Sequence, residues 1–331
     1  MDLLEGSSRS PVMNRRDFLA AAAAPLVLGA APALALSTGG TPLALVTADL
    51  EASVVAVDVS TGQVHRRVRT PADPRSIESI GVIGALVAHT AGGGMTLIDS
   101  DLRVHPIAGE FGAPRYSAVS PDRRFAYVTD SERQEVVVVE LTGRRVVGRA
   151  GLGGPCRHLG IDRTGSRLWV ALGNKAEALA VLSLAEPRRP RLVGTIRPPF
   201  LAHDVGFTPG GRRVWVTSGD RGRVAIYEAR TGQLVRTLSA DAPPQHVTFM
   251  GDRAFVTSGD DAVLRVHALD GRLLRSAPVP PGSYNVQQGG RWILTPSLSE
   301  GTLCSFSARG APLHELRVAR SSHDACFIVG T

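Results

Sequence analysis

The chain has 331 residues, 43% of them hydrophobic, and a formal charge of +7 from 37 basic and 30 acidic side chains. That apolar content excludes an intrinsically disordered chain. The basic excess is almost all arginine, with Lys175 the only lysine, and aromatic residues supply 5%; without aromatic stacking surfaces the charge argues against a nucleic-acid partner.

The first 35 residues read as an export segment. Asn14-Arg15-Arg16-Asp17-Phe18-Leu19 precedes an apolar run from Ala20 to Leu28, and Ala33-Leu34-Ala35 supplies small residues for cleavage. Twin arginines, a modest apolar stretch and an A-x-A site are the features of a Tat signal. The run is Ala-rich, short for a membrane span and interrupted by Pro25 and Pro32. Residues 1–35 are therefore expected to be an N-terminal extension with a Tat signal. Residues 36–331 are expected to be a mature periplasmic or secreted monomer with no transmembrane segment.

From Ala44 onward one pattern recurs at a spacing of about 40 residues, the length of a four-stranded propeller blade. Its second strand reads ALVTAD (Ala44–Asp49), ALVAHT (Ala85–Thr90), AYVTDS (Ala126–Ser131) and LWVALG (Leu168–Gly173). It continues as VWVTSGD (Val214–Asp220), AFVTSGD (Ala254–Asp260) and WILTPS (Trp292–Ser297). An alternating strand such as SVVAVDVS or EVVVVEL follows, then a turn such as STGQ, then an arginine-rich strand. The clearest unit is AVSPDRRFAYVTD (Ala118–Asp130), where Pro121 and Asp122 make a local turn between two strands. Seven units predict an all-β, seven-bladed β-propeller. The first unit lacks an inner strand and the last stretch, Ser322–Val329, looks like one without a blade. The two ends are thus expected to combine and close the ring.

The runs SPDRRFAYVTD, VWVTSGD and AFVTSGD, with TGQ turns, resemble the YVTN-type β-propeller repeat proteins. The resemblance covers nearly all of the mature chain. It implies the propeller fold and little about activity, because such proteins serve as binding platforms, surface proteins and, in relatives, enzymes. Two departures stand out: Ala185–Pro199 reads as an insertion in the fourth blade, and the last copies replace the SPD turn with MGDR and QGGR. Cys156, Cys304 and Cys326 are odd in number and fit no zinc spacing, so buried free thiols are expected.

In a propeller the inner strands line a central channel, and their starts face one mouth. The ligand-binding candidates there are Glu78, Arg115, Tyr116, Arg157, Asp204, Gln245, Tyr284, Asn285 and Asp324. His158, His203, His246 and His323 also fall at inner-strand starts, His203 and His323 one residue earlier than His158. Imidazoles from neighbouring blades suit zinc, copper or iron. A histidine copied from blade to blade can equally be a structural hydrogen-bonding device, as in WD-type propellers. Two functions follow from this mouth. One is a binding module for a small polar ligand or partner protein. The other is a metal-dependent propeller enzyme, lactonase- or lyase-like or redox, using the histidines. No serine sits in an activating G-x-S-x-G turn.

Overall fold

A computed structural model describes residues 40–240 and 243–330. The export segment read at residues 1–35 lies outside the described residues. The described chain forms seven four-stranded antiparallel sheets. They are numbered blades 1 to 7 in chain order, blades 2 to 7 spanning residues 74–106, 114–151, 159–196, 202–239, 247–278 and 287–317. Blade 1 joins both ends of the chain: Ala325–Gly330 is its inner strand, followed outward by Thr41–Ala48, Ser53–Asp58 and Gln63–Arg69. Six residue pairs, from Thr41↔Gly330 to Val46↔Ala325, make that junction. The ring closes as the orphan strands at the two ends of the repeat predict.

Local chemistry accounts for the hairpins. In blade 3, Ser120 Oγ donates to Asp122 Oδ1 at 2.6 Å and accepts the Phe125 N–H at 3.0 Å. Asp122 Oδ1 also accepts the Arg124 N–H at 3.1 Å, and Arg123 takes φ 56° to complete the turn. The second strand, Phe125–Asp130, is buried along its whole length. It lies between two blades, so both of its faces must be apolar or hydrogen-bonded.

The core is a set of clusters in the gaps between blades. Blades 3 and 4 meet through Tyr127, Val136, Leu168 and Val170. Blades 5 and 6 meet through Trp215, Val224 and Val256. Blade 1 meets blade 2 through Leu43, Ile77 and Ile328, and blade 7 through Val55, Trp292 and Leu294.

The outer strands are exposed and carry the arginines. Surface pairs such as Arg67–Glu51 at 3.2 Å and Arg145–Glu140 at 3.3 Å contribute little each. Register shifts where third and outer strands pair, as at Ala56/Val57 and Val138/Val139, twist these edges away from regular pairing.

The stretch Ala185–Pro199 is not an insertion. It contains the outer strand of blade 4, Arg191–Ile196, paired with Leu179–Ser183. Only the turn before it is long, because Pro187 and Pro190 replace the tight TG turn of other blades. Arg188 in that turn reaches Glu140 at 2.5 Å. All three cysteines are buried free thiols.

Candidate functional site

Each inner strand opens with two consecutive side chains that meet the channel at different depths. At the mouth, going round from blade 2 to blade 1, stand Arg75, Arg115, Arg157, His203, Gln245, Tyr284 and His323. One residue deeper, at the throat, stand Ser76, Tyr116, His158, Asp204, His246, Asn285 and Asp324. Regular pairing is interrupted at this point in blades 2, 3 and 5, between Pro74/Ser76, Pro114/Ser117 and Ala202/Val205. Such bulges re-aim side chains, here towards the axis.

Throat threonines hold the backbone in place. Thr217 Oγ1 accepts the Asp204 N–H at 3.0 Å and donates to the Gln245 carbonyl of the next blade at 2.6 Å. Thr129 does the same between Tyr116 and Arg157. These are the threonines of the repeated V-T pair, so their repetition records a latch between blades. Blade 4 has Ala171 at this position and no such hydroxyl.

Four throat side chains are themselves latches. Asp204 Oδ2 accepts the Val247 N–H at 3.0 Å, and Asp324 Oδ2 accepts the Ile77 N–H at 3.1 Å. Asn285 Nδ2 donates to the His323 carbonyl at 2.7 Å, and Ser76 Oγ donates to the Arg115 carbonyl. Each ties one inner strand to the next. The mixture of residue types at this level therefore serves the ring's own hydrogen bonding at four of its positions. The remaining three, Tyr116, His158 and His246, make no such latch to the next strand's backbone.

Two of those three meet His203 of the mouth ring. His158 and His203 have ring centroids 4.3 Å apart, His158 and His246 4.7 Å, and His203 and His246 5.3 Å. One ring nitrogen from each lies within 4.8 Å of the others. Glycines make this approach possible. A Cβ on Gly160 would meet the Val205 carbonyl oxygen at 2.6 Å, and one on Gly206 would meet Val247 and Phe249 at 2.9 Å. The inner strands of blades 4, 5 and 6 can therefore crowd together, carrying the three imidazoles with them.

Second partners set the tautomers. His203 Nδ1 donates to the Asn174 carbonyl at 2.9 Å, so its Nε2 carries the lone pair. His246 Nδ1 stands 3.4 Å from Asp204 Oδ2, which leaves its Nε2 for the throat. His158 is 1% exposed, and neither of its ring nitrogens has a hydrogen-bond partner. Burial, then the neighbouring imidazoles, pushes His158 well below the usual histidine range, and burial takes His203 down to about 3. Both are neutral, as a metal ligand must be. Burial acts to raise Asp204, but its pairing with His246 and the N–H groups of Val247 and Val205 together hold it below the ordinary carboxylate range.

His89 supplies the contrast. Its Nε2 meets Thr96 Oγ1 at 2.9 Å and its Nδ1 meets the Ala72 carbonyl at 3.2 Å. That is a structural histidine with both nitrogens satisfied, and His158 has neither partner. His323 is half-buried with its Nδ1 unpartnered, and its ring lies 6.5 Å from that of Tyr116. It is outside the group whose nitrogens converge.

The throat divides the channel. The mouth cavity, about 270 Å³, is lined by Arg75, Arg157, Lys175, His203, Gln245, His246, Tyr284 and His323 among others. A second cavity of about 220 Å³ lies deeper, with Glu78, Tyr116, His158, Asp204 and Asp324 in its wall. Glu78 is thus not a mouth residue. It is the fifth residue of the Pro74–Ser79 strand, which carries it past the histidines. Burial, then the charge of Asp324, raises Glu78 to about 8; burial raises Asp324 to about 7 and Tyr116 to about 12.

Gln245 Oε1 accepts the Gly259 N–H at 2.9 Å, and Tyr284 donates its hydroxyl to Asp260 at 3.0 Å. Arg115 lines an adjoining depression with Arg157 and Asn174. Asn174 and Lys175 were missed from sequence. They follow the second strand of blade 4 in a loop with no repeat signature, and the single lysine of the chain was the one available signal.

The model of outer membrane protein assembly factor BamB matches residues 157–309, less than half of the chain. No curated protein matches. Among solved structures, a functionally unknown protein from Desulfotomaculum acetoxidans shares 12% identity at a TM-score of 0.74, over 87% of this chain and 99% of that one. The periplasmic gluconolactonase PpgL of Pseudomonas aeruginosa shares 20% identity at a TM-score of 0.70, over 88% and 99%. Apo AztD from Citrobacter koseri shares 11% at a TM-score of 0.66, over 89% and 99%. At these identities the likeness is one of fold: the chain is a seven-bladed β-propeller.

Proposed function

We propose that this protein is a metal-binding propeller whose throat holds one divalent transition ion between His158, His203 and His246. The observation that carries the reading is His158: a fully buried imidazole with two unpartnered nitrogens, facing two others whose tautomers leave Nε2 available. A buried unsatisfied polar atom costs roughly 1–3 kcal/mol, and an ion would satisfy one of these. The carbonyl behind His203 and the carboxylate behind His246 are the supports that metal-bound imidazoles ordinarily have. Three nitrogens suit zinc, copper or iron, with an open position towards the channel.

Zinc titration of the chelator-treated full chain, followed by calorimetry, should show one equivalent bound. Converting His203 to Ala should weaken binding at least about 100-fold, since the loss of even a supporting group costs 10–100-fold. Absence of a saturable site in the wild-type chain, or unchanged binding by His203→Ala, would remove the reading.

We also infer export and YVTN-type kinship. Arg15-Arg16 and the apolar run after them support the first, and the V-T latches of blades 3, 5 and 6 support the second. Replacing both arginines by lysine should retain the uncleaved chain in the cytoplasm. Cell fractionation reads this, and normal export of the double variant would contradict it.

A further inference from the structure

The mouth carries a second chemistry. Arg75, Arg115 and Arg157 occupy the same position in three consecutive blades, each one residue before a throat side chain. Among the described residues, no carboxylate lies within ion-pair distance of Arg115 or Arg157. Arg75 has only Asp49 at 4.0 Å and Asp73 at 3.9 Å, at the limit of contact. The Nε atoms of both Arg75 and Arg157 are buried without a hydrogen-bond partner. Arg157 lines the mouth cavity beside Tyr116 of the throat. Lys175 joins Arg75 and Arg157 in the wall of the mouth cavity. The carboxylate that also lines it, Asp260, is engaged by the Tyr284 hydroxyl at 3.0 Å.

Like charges crowded in a half-buried cavity repel and lose hydration. The cost shows at Arg115, which is lowered from the usual arginine range by burial and then by the charges of Arg157 and Arg75. Outer-strand arginines such as Arg67 and Arg149 avoid this by pairing with Glu51 and Glu135. The mouth set has no comparable partners. Guanidinium forks with free N–H groups match planar or tetrahedral oxyanions, which accept two parallel hydrogen bonds.

We propose that Arg75, Arg157 and Lys175, flanked by Arg115, bind the oxyanion of a small doubly charged ligand, a phosphate or a dicarboxylate, at the mouth above the histidines. The cavity of about 270 Å³ admits a ligand of that size. The anion's site stands on the cations alone. Its contact with an ion below rests on the metal reading, and the two are tested apart.

The chelator-treated full chain is titrated separately with inorganic phosphate and with malonate by calorimetry. At least one anion should bind saturably at a single site, and the stronger of the two identifies the oxyanion class. Arg157→Gln should weaken binding by roughly tenfold or more, as loss of a charge-assisted bidentate contact does. Lys175→Gln, at an exposed position in a loop, serves as a second variant that does not threaten the fold. Arg66→Gln on an outer strand should bind as wild type. The proposal falls if neither anion binds saturably, or if Arg157→Gln and Lys175→Gln both bind as wild type. Binding of anion by protein that takes no zinc would uphold this site and remove the metal reading. Binding of zinc with no anion would do the reverse.

Discussion

Removing the chain from Ser322 onward should abolish cooperative folding. The deleted strand, Ala325–Gly330, is the inner strand of blade 1 and makes six residue pairs with Thr41–Ala48. Ala325 and Ile328 are 0% exposed and Cys326 2%. Phe327 packs on Trp292 of blade 7 with ring centroids 5.7 Å apart, where Gly289 leaves room for it. Thr47 and Asp324 exchange hydrogen bonds at 3.2 and 2.9 Å, and Asp324 latches blade 2. Burial of a large aliphatic side chain is worth about 1.5–3 kcal/mol, and a buried hydrogen bond left half-made costs about 1–3. Several of each lost together exceed the total stability of a typical domain, about 5–15 kcal/mol. Circular dichroism and thermal melting read the outcome. Ile328→Ala is the calibrating control, expected to fold and to lose about 2–5 kcal/mol. A truncated chain that still melts cooperatively, near the wild-type temperature, would mean that another segment closes the ring.

Stability of the chelator-treated protein should peak between about pH 6 and 7 and fall on both sides, for opposite reasons. His158, His203 and His323 are held below the histidine range when folded, by burial first. Below about pH 6.5 the unfolded chain takes up protons there that the folded one refuses, so stability falls as pH falls. Glu78 and Asp324 are raised to about 8 and about 7, again by burial first. Their neutral forms favour the fold at low pH; that contribution is lost from about pH 4, where the unfolded carboxyls ionise, up to about pH 8, and above about pH 6.5 the histidines no longer offset it. Glu78→Gln should remove most of the alkaline fall. Allowing for water in the channel, the gain is roughly 2 kcal/mol at pH 9, with little change at pH 5. Denaturant melts across this range decide it. A wild-type profile flat between pH 6 and 9, or an alkaline fall undiminished in the variant, would show that Glu78 is not held neutral.

The placement of the histidines shows where sequence reading stops. Their presence at inner-strand starts follows from the repeat, since each precedes the apolar residues of a blade. Whether they meet depends on contacts between strands some 40 residues apart. His203 belongs to the mouth ring by register, yet it reaches His158 and His246 of the throat ring, because Gly160 and Gly206 let three strands close up. His323 has the same register as His203 and stays apart. Asp204, Asn285 and Asp324 read as ligand groups by residue type. In the ring they meet backbone N–H and carbonyl groups of the neighbouring blade first.

The sequence by itself determined the blade count, the hairpin turns, the strand that closes the ring and the polar character of the mouth. Those properties are local: turn chemistry and two-residue alternation act within a few residues, and repetition multiplies the signal seven times. Only the tertiary structure decided which polar side chains are spent on joining blades and which remain for a ligand. It also decided that Glu78 lies beyond the throat and that Ala185–Pro199 contains a regular outer strand. Those depend on bulges, on missing Cβ atoms and on the distance between inner strands, which are set by packing around a closed ring and leave no period in the chain.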